Sequence, residues 1–144
     1  MALSTPLNAV PAHRPKALHI ILWIAQVLLA GMFIMTGFMK IAQPIDQLSK
    51  MLPWAAQVPE ALVRFIGVSE LLGGLGLLLP AALRIKPALT VWAALGLVIV
   101  MLLASVFHIS RGEYSAIGMN VILALLAAFI AWGRSKKAPI PSRN

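Results

Sequence analysis

The chain contains no cysteine. That excludes a disulfide framework, a thiol–disulfide relay, a thiolate nucleophile, iron–sulfur ligation and covalent c-type haem attachment. It is also poor in charge. Asp, Glu, Lys and Arg make up 11% of its 144 residues, against about 25% in an ordinary soluble domain. A chain so built cannot clothe a globular surface in charge. No P-loop, dinucleotide fingerprint, His-rich metal motif or nucleophile–base pair can be read along it, which argues against a soluble enzyme. The net charge of +8 would suit a nucleic-acid partner only if it formed a folded reading surface, and its distribution does not.

What the sequence has in abundance is apolar length. Hydrophobic residues reach 60% and the mean hydropathy is +0.91, so the lipid bilayer is the expected solvent. A spanning helix needs about 20 mainly apolar residues. Four runs qualify, at about 17–39, 61–79, 87–107 and 116–132. Pro59 precedes the second and Pro80 follows it, Pro87 opens the third, and Gly133 closes the fourth, as helix punctuation should. The expected fold is an all-α membrane protein, four transmembrane helices in an up-down bundle over 17–134. The Pro- and Ala-rich segment 1–16 and the basic tail 135–144 are expected to be disordered. The first apolar run is long enough to span and has no clear small-residue cleavage site, so it reads as a retained helix and not as a signal peptide.

Charge sets the orientation. Arg14, Lys16, Arg84, Lys86, Arg134, Lys136, Lys137 and Arg143 share one side with no acid. On the other side and within the second span, four basic residues face four acids, so the whole excess lies on one face. The positive-inside rule makes that face cytoplasmic, with both termini inside, in the inner membrane of a cell. Trp23, Trp92 and Trp132 fall near the same ends, where an aromatic belt is expected. The basic clusters serve either topology alone or binding to anionic lipid.

The longest loop, 41–59, reads IAQPIDQLSKMLPWAAQVP. Asp46 could cap a short helix with Leu48, Met51 and Leu52 on one face, lying with Trp54 along the membrane surface. Such a segment is a lid, a partner contact or a plain connector.

The second span, RFIGVSELLGGLGLLLP, holds Glu70. Counted from Ala61, Glu70 lies roughly 14 Å deep, near the bilayer midplane. A charge there costs at least ~2.5 kcal/mol, so it should face the bundle interior with a partner, or be protonated. Gly67 and Gly74 share its helical face at i−3 and i+4, and Gly73 lies beside it. Small residues let another helix come close, so Glu70 is expected in a tight seam or narrow cavity. Gln26 is the partner candidate of matching depth. Arg64 is 120° off the Glu70 face and either snorkels or reaches another helix. His108 and Asn120 complete a candidate ligand-binding set in the outer half. Each has a bland reading as well: Asn120 as an interhelical hydrogen bond, His108 as a wetted interface residue, the glycines as packing.

The second span with the basic loop AALRIKPAL, and the later stretch VFHISRGEYSAIGMNVILALLAAFIAWGR, together resemble the DoxX-like family of small membrane proteins. The resemblance covers about residues 18–134. It places His108, Arg111, Glu113 and Asn120 at the family's polar positions, beside Glu70 in the span-two motif. It implies a four-helix membrane protein and, for some members, quinone-linked sulfur oxidation or membrane complexes that manage oxidative or thiol stress. Branches that use cysteine chemistry are not supported. Three functions stand open: an accessory subunit of a membrane redox complex, touching a quinone; a proton-coupled small-molecule carrier acting through Glu70 as a homo-oligomer; and a structural or assembly protein in which Glu70 and the glycines specify packing. None gives the chain an enzymatic centre of its own, and nucleic acid is not an expected partner.

Overall fold

The computed structural model describes residues 15–143. Its elements are α1 (Lys16–Ala42), α2 (Ile45–Met51), a 3-10 turn (Pro53–Ala56), α3 (Glu60–Leu83), α4 (Ala88–Ser110), α5 (Ser115–Trp132) and a π-helical turn (Gly133–Lys137). Four helical stretches are long and apolar enough to cross a membrane: α1, α3, α4, and α5 with its π turn. The expected disorder of 1–14 lies outside the described residues.

The helices run up and down in a ring. Close approaches pair Gly37 with Gly67 and Leu71, and Ala30 with Gly74, so α1 and α3 are antiparallel. Gly73 meets Leu97 and Gly76 meets Ala93, which sets α3 antiparallel to α4. The four-residue turn 111–114 folds α5 back on α4. Leu22 against Gly133 closes the ring between α1 and the end of α5. The core along the axis is aliphatic and aromatic, with Leu29, Phe33, Leu77, Leu97 and Ile130 almost fully buried. The outside is as greasy as the inside: Phe65, Leu72, Trp92, Leu103 and Leu125 are all more than 60% exposed. In water such a surface would aggregate. In lipid it costs nothing, and packing must then come from close backbone approach and polar contacts.

Two features depart from the sequence reading. The second helix does not stop at Pro80 but runs through it to Leu83. Proline lacks the N–H that Gly76 O would otherwise accept, yet the following turn keeps its own acceptors. The neighbouring Leu77 carbonyl gains a bond from Gln26 Nε2 at 2.8 Å. In a membrane, side chains of this kind relieve the carbonyls that a helical proline disturbs. The second departure is the tail. Ala138 is buried, the Arg143 N–H donates to Arg84 O at 2.8 Å, and Arg84 Nε donates to Pro141 O at 3.2 Å. Arg84 itself ends α3 with φ 58°, a left-handed residue where glycine is usual. Its carbonyl and side chain are thereby turned toward the tail, which straps the basic end of the bundle.

The loop 41–59 folds into α2 and the 3-10 turn. Leu48, Ala55 and Val63 form a small core of their own there. Leu48 and Met51, expected together on one face along the membrane surface, part company: Leu48 is buried in this core and Met51 is 65% exposed. Pro44, not Asp46, sits at the helix N-cap.

The seam makes a direct prediction. A methyl group at Gly37 would lie 2.6 Å from Leu71 N and 2.7 Å from Gly67 O, both backbone atoms that cannot step aside. Gly37→Ala should therefore part α1 from α3 and cost ~1–3 kcal/mol. Gly31 has open space around it, so Gly31→Ala should be neutral or gain up to ~1 kcal/mol of helix propensity. Unfolding of both variants in detergent micelles measures the contrast.

Candidate functional site

Glu70 is the eleventh residue of α3 and is 4% exposed. Its partner is Lys40. The ammonium lies 2.8 Å from Oε1 and 2.6 Å from Oε2, and Thr36 Oγ1 donates to Oε2 at 3.2 Å. Lys40 stands only two residues before the end of α1, but it is 7% exposed. Its side chain turns inward, with its Cβ directly over Gly67: a Cβ on that glycine would be 2.8 Å away. The glycines thus do two things at once. They bring the backbones together and leave a channel for the lysine stem. Thr36 and Lys40 lie on one face of α1, four residues apart, as do Gly67, Glu70 and Gly74 on α3.

Gln26 does not reach this pair. It bonds Leu77 O through Nε2 and accepts from Arg134 Nε through Oε1, at the basic end. The two buried polar candidates therefore belong to separate clusters. Gly73 likewise turns from the seam to α4, against Leu97.

Arg64 is committed as well. Its Nη1 donates to the carbonyls of Lys40 and Gln43, both at 2.7 Å, and its Nε and Nη2 reach Glu60 Oε1. A cation here satisfies carbonyls left open at the C-terminus of α1 and complements the helix dipole. Lys40 is thus held at its carbonyl by Arg64 and at its ammonium by Glu70.

The remaining polar residues meet where α4 ends. Gly112 has φ +70°, its N–H bonds Ile109 O at 3.0 Å, and the Glu113 N–H bonds His108 O at 2.9 Å. This is a Schellman termination, and it turns the Glu113 side chain back over the helix it has just left. Glu113 Oε2 lies 2.7 Å from His108 Nδ1, and Arg111 Nε lies 2.9 Å from Glu113 Oε1. Arg111 Nη2 also bonds Gln57 Oε1 in the loop. Trp54 stands edge-on to Phe107 and His108, with centroids 5.7 and 6.5 Å away. The loop 41–59 thereby covers a histidine–carboxylate dyad flanked by aromatic rings. A carboxylate on Nδ1 fixes the tautomer and leaves Nε2 as the ring's working nitrogen. Asn120, in the first half of α5, has a buried Nδ2 with no hydrogen-bond partner. Among the described residues no group of His, Asp and Glu is arranged to hold a metal ion.

The sequence reading singled out His108 and Glu70 but missed Lys40, which at the end of an apolar run looked like a loop charge. The signal was the shared spacing: Gly37 three residues before Lys40, and Gly67 three before Glu70.

Apolar helices and a sealed interior charge pair define an integral membrane protein of four helices. The model of the DoxX-like family matches residues 24–130, and the chain belongs to that family. No curated protein and no solved structure gives a match.

Two predictions come from these clusters. Removing one member of a buried ion pair strands the other, at a cost of ~3–5 kcal/mol, whereas replacing both by apolar residues is often nearly neutral. Lys40→Met and Glu70→Leu should each lower stability by that order, and the double variant should recover most of the loss in a double-mutant cycle of detergent unfolding. The second concerns Glu113, which lies in the turn between the spans. The hydrogen bond from His108 holds its carboxyl below the ordinary value of 4.5; partial desolvation opposes this, and Arg111 adds to the lowering. A depressed folded-state value means the stabilisation is fully present above the unfolded value and is lost as pH falls through the folded one. The advantage of wild type over Glu113→Gln in melting temperature should hold steady above pH 4.5 and shrink below it.

Proposed function

We propose that this DoxX-like protein is an accessory subunit of a quinone-linked or stress-related redox complex in the cell's inner membrane. Its basic end faces the cytoplasm in this reading. One observation carries the proposal: the His108–Glu113 dyad under the aromatic cover of Trp54 and Phe107. With Nδ1–H held by the carboxylate, the ring in its protonated form donates from Nε2–H to a quinone carbonyl and passes that proton to it, returning to the neutral tautomer, while flat rings accommodate the headgroup. In this reading a partner subunit supplies the electrons. Glu70 and Arg64, both held within the fold, take no direct part.

A second reading, a purely structural or assembly role, is favoured by the Lys40–Glu70 pair, whose groups are spent on joining α1 to α3. Native mass spectrometry of the protein drawn from its own membrane in mild detergent separates the two. The accessory reading expects a retained quinone or a redox subunit, with the quinone lost on His108→Ala while the variant bundle still folds. Association with neither, or a quinone signal indifferent to His108→Ala, would overturn it and leave the assembly role.

A further inference from the structure

The basic end holds a guanidinium that no acidic side chain among the described residues neutralises. Arg134, in the π turn after α5, is 4% exposed. Its Nε donates to Gln26 and its Nη1 to Ala138 O, Nη1 also contacts His19, and its carbon lies 5.2 Å from the Trp23 ring centroid. Among the described residues no side-chain carboxylate faces it: the four acidic side chains are Asp46, Glu60, Glu70 and Glu113, and the ion pairs among the described residues use Lys40, Arg64, His108 and Arg111. Its Nη2 is buried without a hydrogen-bond partner. Thr90, in the first turn of α4, is fully buried, and its Oγ1 is also without a partner. Unsatisfied buried donors of this kind are rare in folded proteins and call for a partner.

Both residues line the same recess, a space of about 730 Å3 between the first turns of α4 and the strapped tail. Lys86 stands at its rim, and Trp92, Leu95 and Ile140 supply apolar wall. The N-terminus of α4 has no side-chain cap and adds its partial positive charge.

We propose that this recess binds an anionic phosphate ester, its oxygens meeting Arg134 Nη2 and Thr90 Oγ1. A guanidinium and a hydroxyl are suited to phosphate oxygens. The shared chemistry is the phosphate. An anionic phospholipid headgroup and free phosphate are its two sources, and the apolar wall facing the bilayer favours the lipid.

The full-length protein in neutral detergent provides the test. Its melting temperature is followed while dioleoylphosphatidylglycerol, dioleoylphosphatidylcholine or inorganic phosphate is titrated in. The expected result is a saturable rise with phosphatidylglycerol that exceeds the rise with phosphatidylcholine. Thr90→Val and Arg134→Lys should each weaken the apparent affinity about tenfold, the worth of a hydrogen bond to a charged group. Lys136→Gln removes a charge outside the recess and should leave affinity unchanged. A rise with inorganic phosphate, lost in the same two variants, supports the site with free phosphate as its source. Should Arg134→Lys fail to fold, Thr90→Val alone decides. No saturable response to any of the three ligands, or a response equally weakened by Lys136→Gln and untouched by Thr90→Val, would overturn the proposal.

Discussion

The bundle depends on one constraint: a carboxylate placed deep in an apolar helix must be met by a cation at close range. Everything around Glu70 serves that meeting. Gly37 and Gly67 thin the two helices so that their backbones touch. The lysine stem occupies the space this leaves, and Thr36 supplies the third hydrogen bond to the carboxylate. Lipid gives helices little reason to leave it for one another, since its tails are as apolar as leucine. With both charges present, parting α1 from α3 would strand each of them, and the pair has one correct register.

The rest of the polar chemistry is sorted to the two ends. At one end Arg64 closes the α1 terminus, and the Schellman turn of α4 folds Glu113 onto His108 beneath the short α2 segment. At the other, Gln26 relieves the backbone near Pro80 and steadies Arg134. Between these ends the core is filled by Leu, Ile, Phe and Ala, with the glycine seam on one side and the α4–α5 contact on the other. The two ends differ in kind. One is balanced in charge and covered by a loop, whereas the other is all basic and opens into a recess.

Much of this was legible in the residues. Four apolar runs of spanning length gave four spanning helices, and helical spacing alone set Gly67 and Gly74 on the face of Glu70. What hid the rest was context. A lysine at the edge of an apolar run reads as a boundary, because only the opposing glycine shows that it can turn inward. Pro80 reads as a stop, because the Gln26 side chain that tends the disturbed turn lies 54 residues earlier in the chain. The tail reads as disordered by composition, since the backbone bonds that hold it depend on the left-handed conformation of Arg84. His108 and Glu113 were each noticed, but nothing short of the Gly112 turn could say that they touch.

The asymmetric placement of the two charges also bears on how the chain enters the membrane. Lys40 stands near the end of α1, and a lysine there can extend its ammonium into the headgroups while α1 is alone. Glu70, ten residues inside α3, has no such refuge. Synthesis from the N-terminus delivers the helix with the tolerant charge first and the helix with the intolerant one second. In that order of synthesis the counter-ion is already present when the carboxylate arrives.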